Sequence, residues 1–185
     1  MYSHKYQLTH DMDCYFNLNG FPIHIATNGG LVPDSLGTVG ELQEIQRLVT
    51  QIDATQAYEL NREYLSRLDG NSFPTQEEWN EFELDLPARF SVFDERDYEL
   101  PFHWLLYSLS FVENARKGFF SFDRIATTWA GYDIYQLIAW PKSFHLSNSL
   151  NVGNHFRLKD CDDYYCGSVK CWPLVQMLKD AELRG

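Results

Sequence analysis

The chain has little cysteine, little positive charge and no long apolar run, and each shortage removes a class of protein. Its 185 residues hold four cysteines with no Cys-x2-Cys pair among them. That is not the density of a disulfide-stapled scaffold, and in a reducing compartment the default state is the thiol. Fifteen Lys and Arg stand against 26 Asp and Glu, for a formal net charge of -11 and a pI of about 4.8. A field of that sign repels polyanions, so nucleic acid is excluded as a partner held by overall charge, whereas a basic protein is compatible with it. No apolar stretch approaches the roughly 20 residues of a membrane span. The start, "MYSHKYQLTHDMD", has neither the basic opening nor the apolar stretch of a secretory signal. The expectation is a cytoplasmic chain with no membrane contact. There is no phosphate-binding loop, no dinucleotide fingerprint and no Gly-x-Ser-x-Gly elbow. Ser108 and Ser110 therefore have no support as nucleophiles.

Apolar material, by contrast, is plentiful. Hydrophobic residues make up 44% and aromatics 16%, enough to build a core without metal or disulfide staples. The length fits one domain over residues 1–185.

Residues 5–28 read as a β-hairpin, because Asn19-Gly20 between two apolar runs is a strong two-residue turn signal. That turn sets the register. Leu18 faces Phe21, Phe16 faces Ile23 and Cys14 faces Ile25, all on one side of the pleat. The other side carries Asn17 with Pro22, Tyr15 with His24, and Asp13 and Asp11 near Asn28. Proline cannot donate to a further strand, so the second leg reads as an edge at Pro22, an edge that would serve strand-mediated homodimerisation although proline also blunts it.

Helices are expected at about 41–52, 56–69, 75–84 and 173–184, with a Thr75/Glu78 capping box opening the third. A short strand is read at 89–95. Residues 101–117 form the strongest helix, apolar on most faces, with Pro101 at its start and Gly118 after its end. "FFSFDRI" (119–125) and "DIYQLIAW" (133–140) read as strands, and 143–156 as loop. The whole is α+β: a mostly antiparallel sheet packed on the buried 101–117 helix.

The hairpin brings its ends together, so Asp11, Asp13, Tyr15, His24, Thr27 and Asn28 form a polar cluster. Carboxylates beside an imidazole can share protons or a divalent ion. Asp13 and His24, with Asp123 and Arg124 from the later aromatic strand, are the candidate catalytic residues. Asp11, Tyr15, Thr27 and Asn28 are the candidate binding residues, and Asp11, Asp13 and His24 the candidate metal ligands. Cys161, Cys166 and Cys171, spaced Cys-x4-Cys-x4-Cys, form a weaker alternative because structural zinc favours paired knuckles. No cofactor is expected beyond a divalent metal as the alternative.

Asp11-x-Asp13 followed by Thr27 resembles the nucleophile and phosphate-binding motifs of the haloacid dehalogenase superfamily, with Lys159 and Asp162-Asp163 standing for its later Lys and Mg²⁺-binding acids. The resemblance implies that the Asp and Thr motifs end parallel strands. A parallel pair needs a crossover of a dozen or more residues. Residues 14–26 instead hold two strand legs and a turn, so the topology excludes that family.

Two functions from different classes remain. The first is a non-catalytic acidic interaction protein, immunity- or antitoxin-like, binding a basic partner through aromatic anchors and charge. The alternative is a small metal- or acid/base-dependent hydrolase built on Asp11, Asp13 and His24.

Overall fold

The computed structural model describes residues 3–18, 21–30, 38–82, 86–127, 132–143 and 155–159. The Asn19-Gly20 turn, the segment 160–185 with its expected helix at 173–184, and Cys161, Cys166 and Cys171 lie outside the described residues.

The architecture is α+β, with a six-stranded mixed sheet. A four-residue helix, α1 (His4–Gln7), precedes β1 (Asp13–Leu18) and β2 (Phe21–Ala26). These two strands pair antiparallel with Cys14 opposite Ile25, Phe16 opposite Ile23 and Tyr15 opposite His24, the expected register. The first leg starts at Asp13 rather than near residue 5, because residues 4–7 close a helical turn.

Next come α2 (Val39–Val49), β3 (Tyr58–Leu60), α3 (Arg62–Leu65), α4 (Gln76–Phe82) and α5 (Leu86–Phe90). The long α6 (Phe102–Arg116) leads into β4 (Phe120–Thr127), β5 (Tyr132–Pro141) and β6 (His155–Lys159). The strand path is β1-β2-β4-β5-β3, with β6 also on β5. All pairs are antiparallel except β2 and β4.

Four further expectations need correction. The helix expected over 56–69 is instead strand β3 and the single turn α3, because Tyr58–Leu60 pairs with Ala139–Pro141 of β5. The strand expected at 89–95 is the end of α5, which contains Pro87, followed by a turn. The expected loop over 143–156 gives way to β6 from His155. Finally, β2 is interior, because β4 lies along it in parallel from Ile23 onward. Pro22 stands one residue before that ladder begins, which reconciles its missing N–H with a central strand. The sheet edge on this side is therefore β1.

The capping box and the packing of the long helix are as expected. The Thr75/Glu78 box is present in both directions, with Thr75 N donating to Glu78 Oε2 at 2.8 Å and Glu78 N to Thr75 Oγ1 at 3.2 Å. Helix α6 lies across β3, β4 and β5, burying Leu105, Phe111, Val112 and Ala115 against Tyr58, Leu60 and Ile138. Helix α2 packs Ile45 and Val49 on Tyr15 and Phe119. The opposite sheet face holds Cys14, Phe16, Ile23, Ile25, Phe120 and Phe122, all buried, as the alternation in β1, β2 and β4 requires. No described helix is long and apolar enough to cross a membrane.

Candidate functional site

The antiparallel β1–β2 pair sets Tyr15 beside His24, and the parallel β2–β4 pair sets His24 beside Ser121 and Ala26 beside Asp123. His24 is fully buried. Its Nε2 meets Asp13 Oδ1 at 2.8 Å and its Nδ1 meets Ser121 Oγ at 2.5 Å. The rings of Tyr15 and Phe111 flank it, with centroids at 5.1 and 6.0 Å. Asp13 spans inside and outside: 47% of its side chain is exposed, and its carbonyl accepts from Gln46 Nε2 of α2 at 2.8 Å. Burial raises the Asp13 pKa, but the hydrogen bond and charge of His24 outweigh it, leaving the carboxyl below its ordinary value.

Ser121, His24 and Asp13 have the residue types of a hydrolase triad, yet two observations separate them from one. The serine and histidine are at 0% exposure, so the Ser121 hydroxyl has no approach for a substrate. The ring is also reversed, with Ser121 on Nδ1 and the carboxylate on Nε2, opposite to the usual arrangement. With both nitrogens engaged, His24 has none to offer a metal. Among the described residues no three His, Cys, Asp or Glu side chains are placed to hold one. Asp11, Asp13 and His24 thus do not form a ligand set. Neighbouring Cys14 is inert for a related reason: burial, then the charges of Asp13 and Asp11, pushes its thiol up to about 12.

Asp11, Thr27, Asn28 and Arg124 do a different job at the end of β2. Thr27 exchanges bonds with Met12, accepting its N–H on Oγ1 at 2.9 Å and donating its own to the Met12 carbonyl at 3.0 Å. The chain then turns through Asn28 and Gly29, both left-handed at φ 42° and 72°. A Cβ at Gly29 would sit 3.2 Å from the Leu8 carbonyl oxygen, so the position combines backbone need with close approach. The exposed turn offers Asn28 N–H to Asp11 Oδ1 at 2.6 Å and Asn28 C=O to Arg124 Nη1 at 3.1 Å. This is a clamp on the backbone.

Asp123 lies on the same sheet face as Asp13, with Ala26 between them on β2. It is buried on β4 beside a ladder irregularity between Arg124 and Ala126, and accepts a hydrogen bond from Tyr107 Oη of α6 at 2.5 Å. Burial pushes its carboxyl up to about 6. The Tyr107 hydrogen bond opposes the rise, the Asp11 charge adds to it, and Arg124 opposes it. Tyr107 Oη lies 3.5 Å from Tyr64 Oη, and Tyr64 lines a polar cleft of about 180 Å³ with Asn61, Glu63, Arg67 and Gln136.

A second cleft, of about 270 Å³, is aromatic and aliphatic. Gln76, Phe90, Tyr98, Leu100, Phe102 and Leu105 line it, and Tyr98 is 54% exposed. Its rim is pinned from beneath. Asp97, 1% exposed, accepts from Tyr58 Oη and from Arg62 Nη2, each at 2.6 Å, while Asp94 N–H donates to Tyr58 Oη at 2.9 Å. Arg96 lies over the Tyr58 ring at 5.5 Å and donates to the Tyr58 carbonyl at 2.5 Å. The 94–99 turn carrying Tyr98 is thereby tied to β3. Among the described residues, none from the hairpin lines either cleft.

Tyr64, Tyr98, Tyr107, Ser121 and Gln136 are absent from the residues singled out by sequence. Ser121 and Tyr107 acquire their roles through pairings 97 and 16 residues apart, which no local pattern announces. Tyr98 carries a weak signal, as an aromatic set between Glu95, Asp97 and Glu99.

Comparison with protein-family models, curated proteins and solved structures finds no match. Classification therefore rests on the fold, an α+β protein with one parallel pair in an otherwise antiparallel sheet.

Proposed function

We propose that this is a non-catalytic interaction protein that binds a basic protein partner, as an immunity protein or antitoxin does. One observation carries the reading: the aromatic cleft under Tyr98 is built from the most acidic part of the chain. Residues 76–100 hold nine acids against two basic residues, Arg89 and Arg96, so most of the formal charge arises there. Glu77 and Glu78 follow Gln76 at one wall, and exposed Glu95 and Glu99 bracket Tyr98 at the other. Aromatic anchors inside a like-charged rim suit a partner offering an aliphatic or guanidinium side chain amid Lys and Arg. The hydrolase alternative loses support, since His24 and Ser121 are buried and both nitrogens of His24 are engaged, one by Asp13.

The test is association measured by surface plasmon resonance against basic proteins that co-purify at low salt. Tyr98→Ala is expected to weaken binding about thirtyfold, a cost of ~2 kcal/mol for a central aromatic anchor. Raising salt from 50 to 500 mM is expected to slow the on-rate by about tenfold or more. A partner insensitive to both, or no basic partner at low salt, removes the proposal.

A further inference from the structure

We propose that Asp123, Tyr107 and Tyr64 form a proton-conducting chain whose outer end, the Tyr64 hydroxyl, is the recognition group of the polar cleft beside β5. This site is independent of the aromatic cleft and of the partner reading.

A tyrosine hydroxyl has one hydrogen to donate and lone pairs to accept. Tyr107 Oη stands between Asp123 Oδ2 at 2.5 Å and Tyr64 Oη at 3.5 Å. With Asp123 ionised, the Tyr107 hydrogen goes to the carboxylate, the short charge-assisted contact. Tyr64 then turns its hydrogen inward to Tyr107 and shows the cleft only lone pairs. With Asp123 protonated, the direction reverses. The carboxyl donates to Tyr107, Tyr107 donates to Tyr64, and the Tyr64 hydrogen is released toward the cleft. The cleft therefore changes from acceptor to donor when one buried carboxyl takes up a proton.

The surroundings favour this reversal over a fixed arrangement. Among the described residues, the charged and titratable groups about Asp123 are Asp11 before β1, Arg124 on its own strand, Tyr107 from α6, and Tyr64 from α3. At the cleft mouth, Glu63 and Arg67 pair with each other, so the described lining carries no net charge to fix one state. From the flanking strands, β2 supplies uncharged Ala26 and β5 supplies Gln136. Burial pushes the Asp123 carboxyl up to about 6, whereas both tyrosine hydroxyls are raised, chiefly by burial, and keep their protons. Asp123 is thus the member that changes state. It also sits beside a strand irregularity, a feature over-represented next to functional sites. The ligand class follows from the donor state: a small neutral molecule bearing a carbonyl, taken up when Asp123 is protonated and released when it ionises.

Carbon-13 NMR of the carboxyl carbons and of the tyrosine Cζ carbons, between pH 4 and 8, tests the chain in the intact protein. Asp123, Tyr107 and Tyr64 are expected to report one shared midpoint near 6. In Tyr107→Phe, Asp123 still titrates and Tyr64 no longer follows it; in the near-isosteric Asp123→Asn, neither tyrosine titrates in this range. N,N-dimethylacetamide, an acceptor-only probe, reads the cleft through amide shifts at Tyr64 and Gln136. It is expected to bind about fivefold more weakly at pH 7.5 than at pH 5.0, the worth of one neutral hydrogen bond. An Asp123 midpoint below 4.5 overturns the proposal. So does a Tyr64 titration surviving in both variants, or probe binding that is absent or indifferent to pH.

Discussion

Within one sheet face, two carboxylates are pulled in opposite directions. Asp13 gains an imidazole partner and is held below its ordinary value, so its stabilisation is present above pH 3.8 and is lost as pH falls through its folded value. Asp123 is raised from 3.8 to about 6, so the native state holds its proton longer than the unfolded chain does. Its effect is therefore a stability that declines as pH rises from about 3.8 to about 6 and is level beyond. Asp123→Asn keeps an acceptor for Tyr107 and cannot ionise. In urea titrations it is expected to be more stable than the parent at pH 7.5 by on the order of 2 kcal/mol, with the gain shrinking toward pH 4. A variant equally or less stable at pH 7.5 sinks this account. Asp13 and His24 were readable as neighbours because an Asn-Gly turn dictates which residues face each other. What the hairpin left out was the third partner. Ser121 arrives from a strand 97 residues further on, and its arrival turns an apparent open site into a closed bridge.

Elements follow the same division between local and distant causes. Helix α6 was legible from Phe102 to Arg116 because apolar bulk, Pro101 and Gly118 agree. Strand β3 was not, since Tyr58–Leu60 lies in a helix-like stripe and is extended only by pairing with β5 and by the Tyr58–Asp97 bond. The α6–β4 junction depends on Gly118, whose φ of 102° is hostile to a side chain and whose Cβ position lies 2.8 Å from Gln56 Nε2. The Gln56 end can move, but the backbone angle cannot. Gly118→Ala is accordingly expected to lower unfolding free energy by about 1–2 kcal/mol. Because this joint aims β4, the same variant should also move the Ser121 and Asp123 amide resonances; a change in stability without that movement would show the joint to be merely local.

For the molecule as a whole, the dominant quantity is charge. A formal -11 on 185 residues, concentrated in 76–100, repels itself in the compact state. Screening reduces that repulsion, and it equally reduces attraction to a basic partner. Salt should therefore act with two signs on one protein. The unfolding midpoint of the free chain is expected to rise by about 2–6 °C between 20 and 500 mM NaCl, read by differential scanning fluorimetry. Binding falls over the same range, and a free chain whose midpoint falls with salt would contradict the account.

The parallel pairing of β2 with β4 also sets a schedule for synthesis. His24 meets its partner only when a residue 97 positions later has been made. At ribosomal rates of roughly 5–20 residues per second, the second strand of the hairpin waits roughly 5–20 s with its apolar side chains and one backbone edge unsatisfied. Pro22, which cannot donate at the head of that edge, is then the residue that discourages a neighbouring nascent chain from taking the place reserved for β4.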